Sequence, residues 1–380
     1  MVLTRDILSA WQAIDNGVVG ENTRTRLKYW SHWTQYTKTF NQTEFLDNLS
    51  IQQQNIIVTA FAARVRTGYY GLGRQVKAKT VADALSAIAK TFQLAGKSSP
   101  IHQAHETYTT PVARLMEGYR RQDPPPVPQL AVPLSVPELL VKLGTTSLNP
   151  HTQAVGDLAN IAFYYLLRVG EYTKPRTITH NGITKSATRT KQFKVSDIGF
   201  FKDGKKLPRT SNIDKLLQAD ACTLKITNQK NGRMGQTIHH EANKLLTCPV
   251  KACARRVHHI ISHGGSTDNY ICDVKISQKS TKWTQITPQD MLQALRKAVK
   301  ALELHKGGLD PDLIGVHSLR AGGAMALKLH GANDTTIMKA GRWTSLTFLE
   351  YIHNQIAHLS KDLSKQMGTH INFINIAAIE

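Results

Sequence analysis

The sequence predicts a mainly α protein with small β-sheets: an all-helical N-terminal domain followed by a mixed α/β domain. Three observations predict it. Apolar residues recur at helical spacing through the first third of the chain. The run Asp123-Pro124-Pro125-Pro126-Val127-Pro128 then stops any helix and favours an extended linker. Beyond it, short β-prone runs with turn signals lie between further helical stretches. At 380 residues the chain can hold two ordinary cores. The expected boundaries are a helical domain over 1–123, a linker over 124–134, and a second domain over 135–380.

Residues 1–15 read as an amphipathic helix. From Thr23 to Phe40, Leu27, Trp30, Trp33 or Thr34, and Thr37 fall at helical spacing with Lys and Arg opposite. Ile51 to Thr67 is a second helical run. Thr80 to Leu94 is a third, opened by a Thr cap and carrying Val81, Leu85, Ile88 and Phe92 in register. Just before it, Arg74, Lys77 and Lys79 line a Gly-rich turn, either as phosphate contacts or as a solvated face. Past the linker, helices are expected at 135–144 and 151–168, and hairpins at Asp203-Gly204 and over Thr223–His239, turning at Asn231-Gly232. Helices resume at 248–263, 288–302 and 317–330.

Lys and Arg number 48 against 27 acidic residues, a net charge of +21 spread along the chain. Such an excess suits a polyanion, because each neutralised phosphate releases condensed counterions. No apolar run approaches a membrane span, and the N-terminus lacks the pattern of a signal peptide. The expected location is intracellular: nuclear in a eukaryote, cytoplasmic in a prokaryote. The 4 cysteines are too few and scattered for a disulfide framework. Cys248 and Cys253, with His258, His259 and His263, invite a zinc reading, but the stretch from Val250 to Ile261 is helically periodic. Buried cysteines with solvent-facing histidines are expected instead, and neither metal nor other cofactor.

Chemistry concentrates near the C-terminus. His317 and Arg320 stand at i and i+3 on one face at a helix start, after Pro311 and ahead of a terminating Gly331. Gly322 and Gly323 each cost roughly 1 kcal/mol inside a helix, which points to close backbone approach to a partner. Arg168 ends an apolar run and needs a counter-charge, either Glu171 or a bound anion. Lys230 sits at a hairpin tip, with Lys225 as its competitor on the same strand. Trp343 and Tyr351 follow in a segment that would otherwise read as helix packing.

The ordered set Arg168, Lys230, His317-x-x-Arg320, Trp343 and Tyr351 resembles the tyrosine recombinases of the lambda-integrase type. Arg168-Val169-Gly170-Glu171 resembles the first-arginine motif of that family, and His317-Ser318-Leu319-Arg320-Ala321-Gly322-Gly323 its most characteristic string. Gly341-Arg342-Trp343 stands where many members have Gly-His, and Trp343 replaces the usual second histidine. The spacing from Trp343 to Tyr351 is one residue shorter than the common bacterial pattern. With a following Phe-Leu-x-Tyr-Ile, the string is more similar to recombinases of eukaryotic mobile elements.

The resemblance implies a core-binding domain and a catalytic domain forming a C-shaped clamp on double-stranded DNA with paired recognition sites. It implies a homotetramer on DNA, monomeric or dimeric when free, and strand cleavage and rejoining without metal or ATP. Tyr351 would attack the scissile phosphate and become a 3′-phosphotyrosine. Arg168 and Arg320 would clamp the phosphate, with His317 as base or donor, Lys230 as acid, Trp343 as donor and Glu171 in support. After Tyr351, an amphipathic helix (Ile356, Leu359, Leu363, Met367) and an apolar stretch over 371–379 would pass to a neighbouring copy. Two alternatives remain: a type IB topoisomerase-like enzyme, and a domesticated, non-catalytic DNA-binding protein. A metal nuclease is third, without an acidic cluster to support it.

Overall fold

The computed structural model describes residues 20–103, 107–125, 129–174, 177–180, 183–186, 192–227, 235–277 and 280–349. The chain divides into two compact units, residues 1–126 and 127–380. The described residues are mainly helical, with small antiparallel sheets. The expected N-terminal helix over 1–15 and the tail after Tyr351 lie outside them.

The first unit packs helices α1 (Gly20–Lys38), α2 (Ile51–Arg66), α3 (Ala78–Leu94) and α4 (Thr110–Gln122) around Trp33, Phe61, Leu85, Ile88, Phe92 and Met116. Trp33 takes the core position and Leu27 is 59% exposed, because the buried stripe of α1 is set further along the helix than the spacing suggested. A reciprocal Ser50–Gln53 capping box opens α2. Helix α3 starts earlier than expected and without a Thr cap: its N-cap is Lys77, and the Ala78 N–H donates to Asp123 Oδ2 at 2.7 Å. Asp123 also receives Arg66 at 2.5 Å, so one carboxylate joins the end of α4 to the start of α3. Helix α4 escaped the sequence reading; its apolar stripe is short, with only Val112 and Met116 buried.

The second unit begins with a packed segment. Leu130, Ala131 and Val132 are buried, and the Val132 N–H donates to the Ser318 carbonyl at 3.2 Å, so the later part of the expected linker is core. Helices α5 (Ser135–Thr146) and α6 (Pro150–Tyr164) pack closely: a Cβ on Gly156 would overlap the Leu140 carbonyl. Helix α6 stops short of the expected 168, and a four-residue helix, α7 (Val169–Tyr172), follows.

Strands β1 (Thr177–His180) and β2 (Ile183–Ser186) form one ribbon. A four-stranded antiparallel sheet then combines β3 (Ile198–Lys202), β4 (Lys205–Leu207), β5 (Ala221–Lys225) and β6 (Thr237–Glu241) in the order β4-β3-β5-β6, with the five-residue helix α8 (Ile213–Leu217) ahead of β5. Asp203 and Gly204 turn the β3–β4 hairpin at φ 48° and 72°, as the sequence predicts for a two-residue turn. Strands β5 and β6 pair from Ala221↔Glu241 to Lys225↔Thr237, and their connection over 228–234 is outside the described residues.

Helix α9 (Pro249–Ser262) follows, then the ribbon of β7 (Asp273–Val274) and β8 (Thr284–Gln285) and helix α10 (Pro288–Ala301), opened by a Thr287–Asp290 capping box. Helices α11 (Ser318–Leu329) and α12 (Asp334–Gly341) complete the described α-helices, and a 3-10 turn, Leu346–Phe348, follows. Gly331, at φ 82°, closes α11 as expected; α12, too short for its periodicity to stand out, was not anticipated.

Candidate active site

The site grows from a break in the chain after α6. Leu166 adopts φ 49°, a conformation that leucine rarely takes. Its neighbours hold it there. The Tyr165 hydroxyl donates to the Cys222 carbonyl at 3.2 Å, and the Leu167 N–H donates to the Ala162 carbonyl at 3.0 Å. Arg168 therefore does not end a helix; it becomes the N-cap of α7.

Glu171, 1% exposed, lies one turn into α7 and folds back. Its Oε2 accepts the Arg168 backbone N–H at 2.8 Å, and its Oε1 accepts Arg168 Nη1 at 3.2 Å. The alternative left open by the sequence thus resolves toward an ion pair, but one that leaves the Arg168 side chain 21% exposed. Glu171 has a second cation. Arg342 Nη2 donates to Glu171 Oε2 at 2.9 Å and to the Leu166 carbonyl at 3.0 Å. Burial lowers the Arg342 pKa from its usual value; Glu171 opposes that shift and Arg168 adds to it. A carboxylate between two guanidiniums keeps this buried charge cluster tolerable.

Arg320 comes from the first turn of α11. Its guanidinium donates to the Gly341 carbonyl and lies 4.4 Å from the centre of the Trp343 ring, a cation–π contact. A Cβ on Gly341 would collide with that indole, which is why glycine precedes Arg342-Trp343. Phe348 is fully buried against Trp343, with ring centres 5.5 Å apart. His317 is the N-cap of α11, half-buried, and its carbonyl accepts the Ala321 N–H at 2.9 Å.

Gly322 and Gly323 meet the expected close approach, but from within the chain. A Cβ on Gly322 would overlap the Val132 carbonyl, and one on Gly323 the Phe163 carbonyl. Gly323 thereby seats α11 on α6, the helix that leads to Arg168, and Gly322 seats it on the segment ahead of α5.

Arg168, Glu171, Arg320 and Trp343 are thus joined through Arg342 and Gly341. Lys230 and Tyr351 lie outside the described residues. Lys225 is exposed at the end of β5, paired with Thr237. Beyond it the two strands stay paired through Ile226 and Gln236, and Gln236 Nε2 donates to the Lys339 carbonyl at 3.4 Å. The base of the Lys230 connection therefore rests on α12, just ahead of Gly341. Arg74, Lys77 and Lys79 are exposed in the first unit, and Lys79 pairs with Asp83 at 2.5 Å. Arg342 is the residue that sequence reasoning missed as a member of the site. Its only signal was its place between Gly341 and Trp343, which does not separate a buried arginine from a surface one.

Among the described residues, no group of three or more His, Cys, Asp or Glu side chains could hold a metal ion. Cys248 and Cys253 are buried as expected. His258, His259 and His263 are half-buried, a correction to the solvent-facing expectation: His259 Nε2 accepts the Lys275 N–H at 3.2 Å, and the His259 and His263 rings lie 4.3 Å apart. No helix among the described residues is long and apolar enough to cross a membrane.

No family model and no curated protein matches the chain. Solved structures similar to it include the XerH site-specific recombinase bound to its difH substrate before cleavage, at 14% identity over 90% of this chain and 76% of that one, TM-score 0.46. The XerH post-cleavage complex with palindromic difH gives 13% identity over 88% and 76%, TM-score 0.49. The Tn1549 transposon integrase in complex with transposon right-end DNA gives 12% identity over 82% and 84%, TM-score 0.43.

Proposed function

We propose that this chain is a tyrosine recombinase that cleaves and rejoins double-stranded DNA at paired recognition sites, as a homotetramer. One observation carries the reading. Arg168 and Arg320, far apart in sequence, are held in one frame by Glu171, Arg342, Gly341 and Trp343. Two fixed guanidiniums are what a pentavalent phosphorane needs, since charge accumulates on its non-bridging oxygens.

The Tyr351 hydroxyl attacks the scissile phosphorus as His317 takes its proton. The bond to the 5′-oxygen breaks, and Lys230 protonates that oxygen as it leaves. A 3′-phosphotyrosine results. A 5′-hydroxyl of another strand then reverses the step, releasing the tyrosine, so no external energy source is consumed. Trp343 holds Arg320 by its ring and offers its indole N–H to a phosphate oxygen.

The test is covalent trapping on suicide duplexes drawn from the sequence flanking the gene. The unaltered chain should form an adduct, and Tyr351→Phe should bind the same DNA without forming one. An adduct with Tyr351→Phe would sink the nucleophile assignment. Truncation after Met367 should abolish synaptic complexes while leaving attachment to a single site; synapsis by the truncated chain would count against exchange of the tail.

A further inference from the structure

Arg342 is a buried cation with no part in the phosphate chemistry described above. It is 5% exposed, its backbone sits at φ 60°, and its Nη2 binds both Glu171 Oε2 and the Leu166 carbonyl. Glu171 Oε2 also takes the Arg168 backbone N–H, while Oε1 takes the Arg168 side chain. One carboxylate is therefore held from one side by Arg342 and holds Arg168 on the other. The Leu166 carbonyl belongs to the turn that delivers Arg168, so Arg342 grips both the turn and its carboxylate.

We propose that Arg342 is a positioning residue for Arg168, fixing through Glu171 and Leu166 the direction in which the Arg168 guanidinium faces a phosphate. This rests on the reading of Arg168 as a phosphate ligand. Arg342 ends α12 in the left-handed region, at φ 60°. Arg342 goes to the Arg168 side and Trp343 to the ring contact with Arg320, so one dipeptide sets both guanidiniums. A lysine supplies a charge, but on a stem one atom shorter and more flexible than the guanidinium whose Nη2 meets both acceptors.

On suicide duplexes, Arg342→Lys in the full chain should slow covalent attachment by about 10²-fold with DNA affinity unchanged. Glu171→Gln, which cuts the same connection at its middle, should give a loss of the same order. In an Arg168→Lys background, Arg342→Lys should cost little further, since its route to the phosphate is already impaired. Equal losses in both backgrounds, or no loss in the first, would overturn the proposal. A crystal structure of the Arg342→Lys protein gives a readout independent of catalysis. Arg168 turned away from Glu171 supports the role; an unchanged Arg168–Glu171 pair overturns it. Failure of the unaltered chain to form any adduct counts instead against the recombinase reading, and the crystal structure still decides Arg342.

Discussion

Glu171 carries the heaviest electrostatic load of any residue in the site. It is buried between two guanidiniums, those of Arg168 and Arg342. Removing its charge leaves two cations facing each other with little water to screen them. Glu171→Gln should therefore lower stability by roughly 3–5 kcal/mol, read as a shift in urea midpoint at constant slope. A shift too small to measure would mean that water or another acceptor already reaches the pair. Arg168→Ala acts differently, because Arg168 is partly exposed. It should cost 10²–10³-fold in the rate of covalent attachment, on the order expected for one lost phosphate donor, with a smaller effect on folding.

At the scale of elements, the seat of α11 on α6 decides how the two arginines meet. Gly323→Ala presses a methyl group into the Phe163 carbonyl, and backbone cannot move aside as a side chain can. A loss of about 1–3 kcal/mol in thermal or chemical unfolding is expected, against almost none at an open glycine such as Gly170. Helix α9 supplies a pH dependence. Burial, helped by Arg256, His263 and His258, pushes the His259 pKa down to about 3 from an ordinary 6.5. Between those values the unfolded chain binds a proton that the folded chain refuses. Stability is thus full above about 6.5 and is lost progressively as pH falls toward 3. His259→Gln, which keeps an acceptor for the Lys275 N–H, should reduce the fall in melting temperature between neutral and mildly acid pH. An unchanged fall would move the acid sensitivity elsewhere.

These same elements mark how far the sequence could be read. Long periodic helices such as 51–66 and 288–301, and the Asp203-Gly204 turn, announce themselves because their signals are local. The stop of α6 does not. Nothing in Tyr164-Tyr165-Leu166-Leu167 forbids a helix, and the contacts of Tyr165 with Cys222 and of the Leu166 carbonyl with Arg342, both distant in sequence, help to hold the unusual conformation. The paired glycines advertised a close approach correctly, yet a glycine cannot say whether the neighbour is a ligand or its own chain. Arg342 was least legible of all, since burial of a charge depends on a partner more than a hundred residues away.

At the scale of the whole molecule, the charge of +21 would, on the proposed function, act on any DNA encounter, specific or not. Affinity for duplex without a recognition site should fall on the order of 10³-fold between 50 and 200 mM salt, the signature of several released counterions. A flat salt response in a fluorescence titration would show that the basic residues serve something other than phosphate. Arg74, Lys77 and Lys79 belong to this scale. Replacing Arg74 and Lys77 together should flatten the salt slope and weaken all sequences alike, leaving the single-turnover cleavage rate at saturating protein unaltered.

The indole stacked on Arg320 has a practical use. Trp343 shares its ring face with the charge that would meet a phosphate, so its emission should respond when that charge acquires a counter-ion. The other tryptophans, Trp11, Trp30, Trp33 and Trp283, lie elsewhere in the sequence, and the difference between the unaltered chain and Trp343→Phe isolates its share of the emission. The chain would then carry its own optical probe of site occupancy, able to time the arrival of DNA separately from the breaking of a strand.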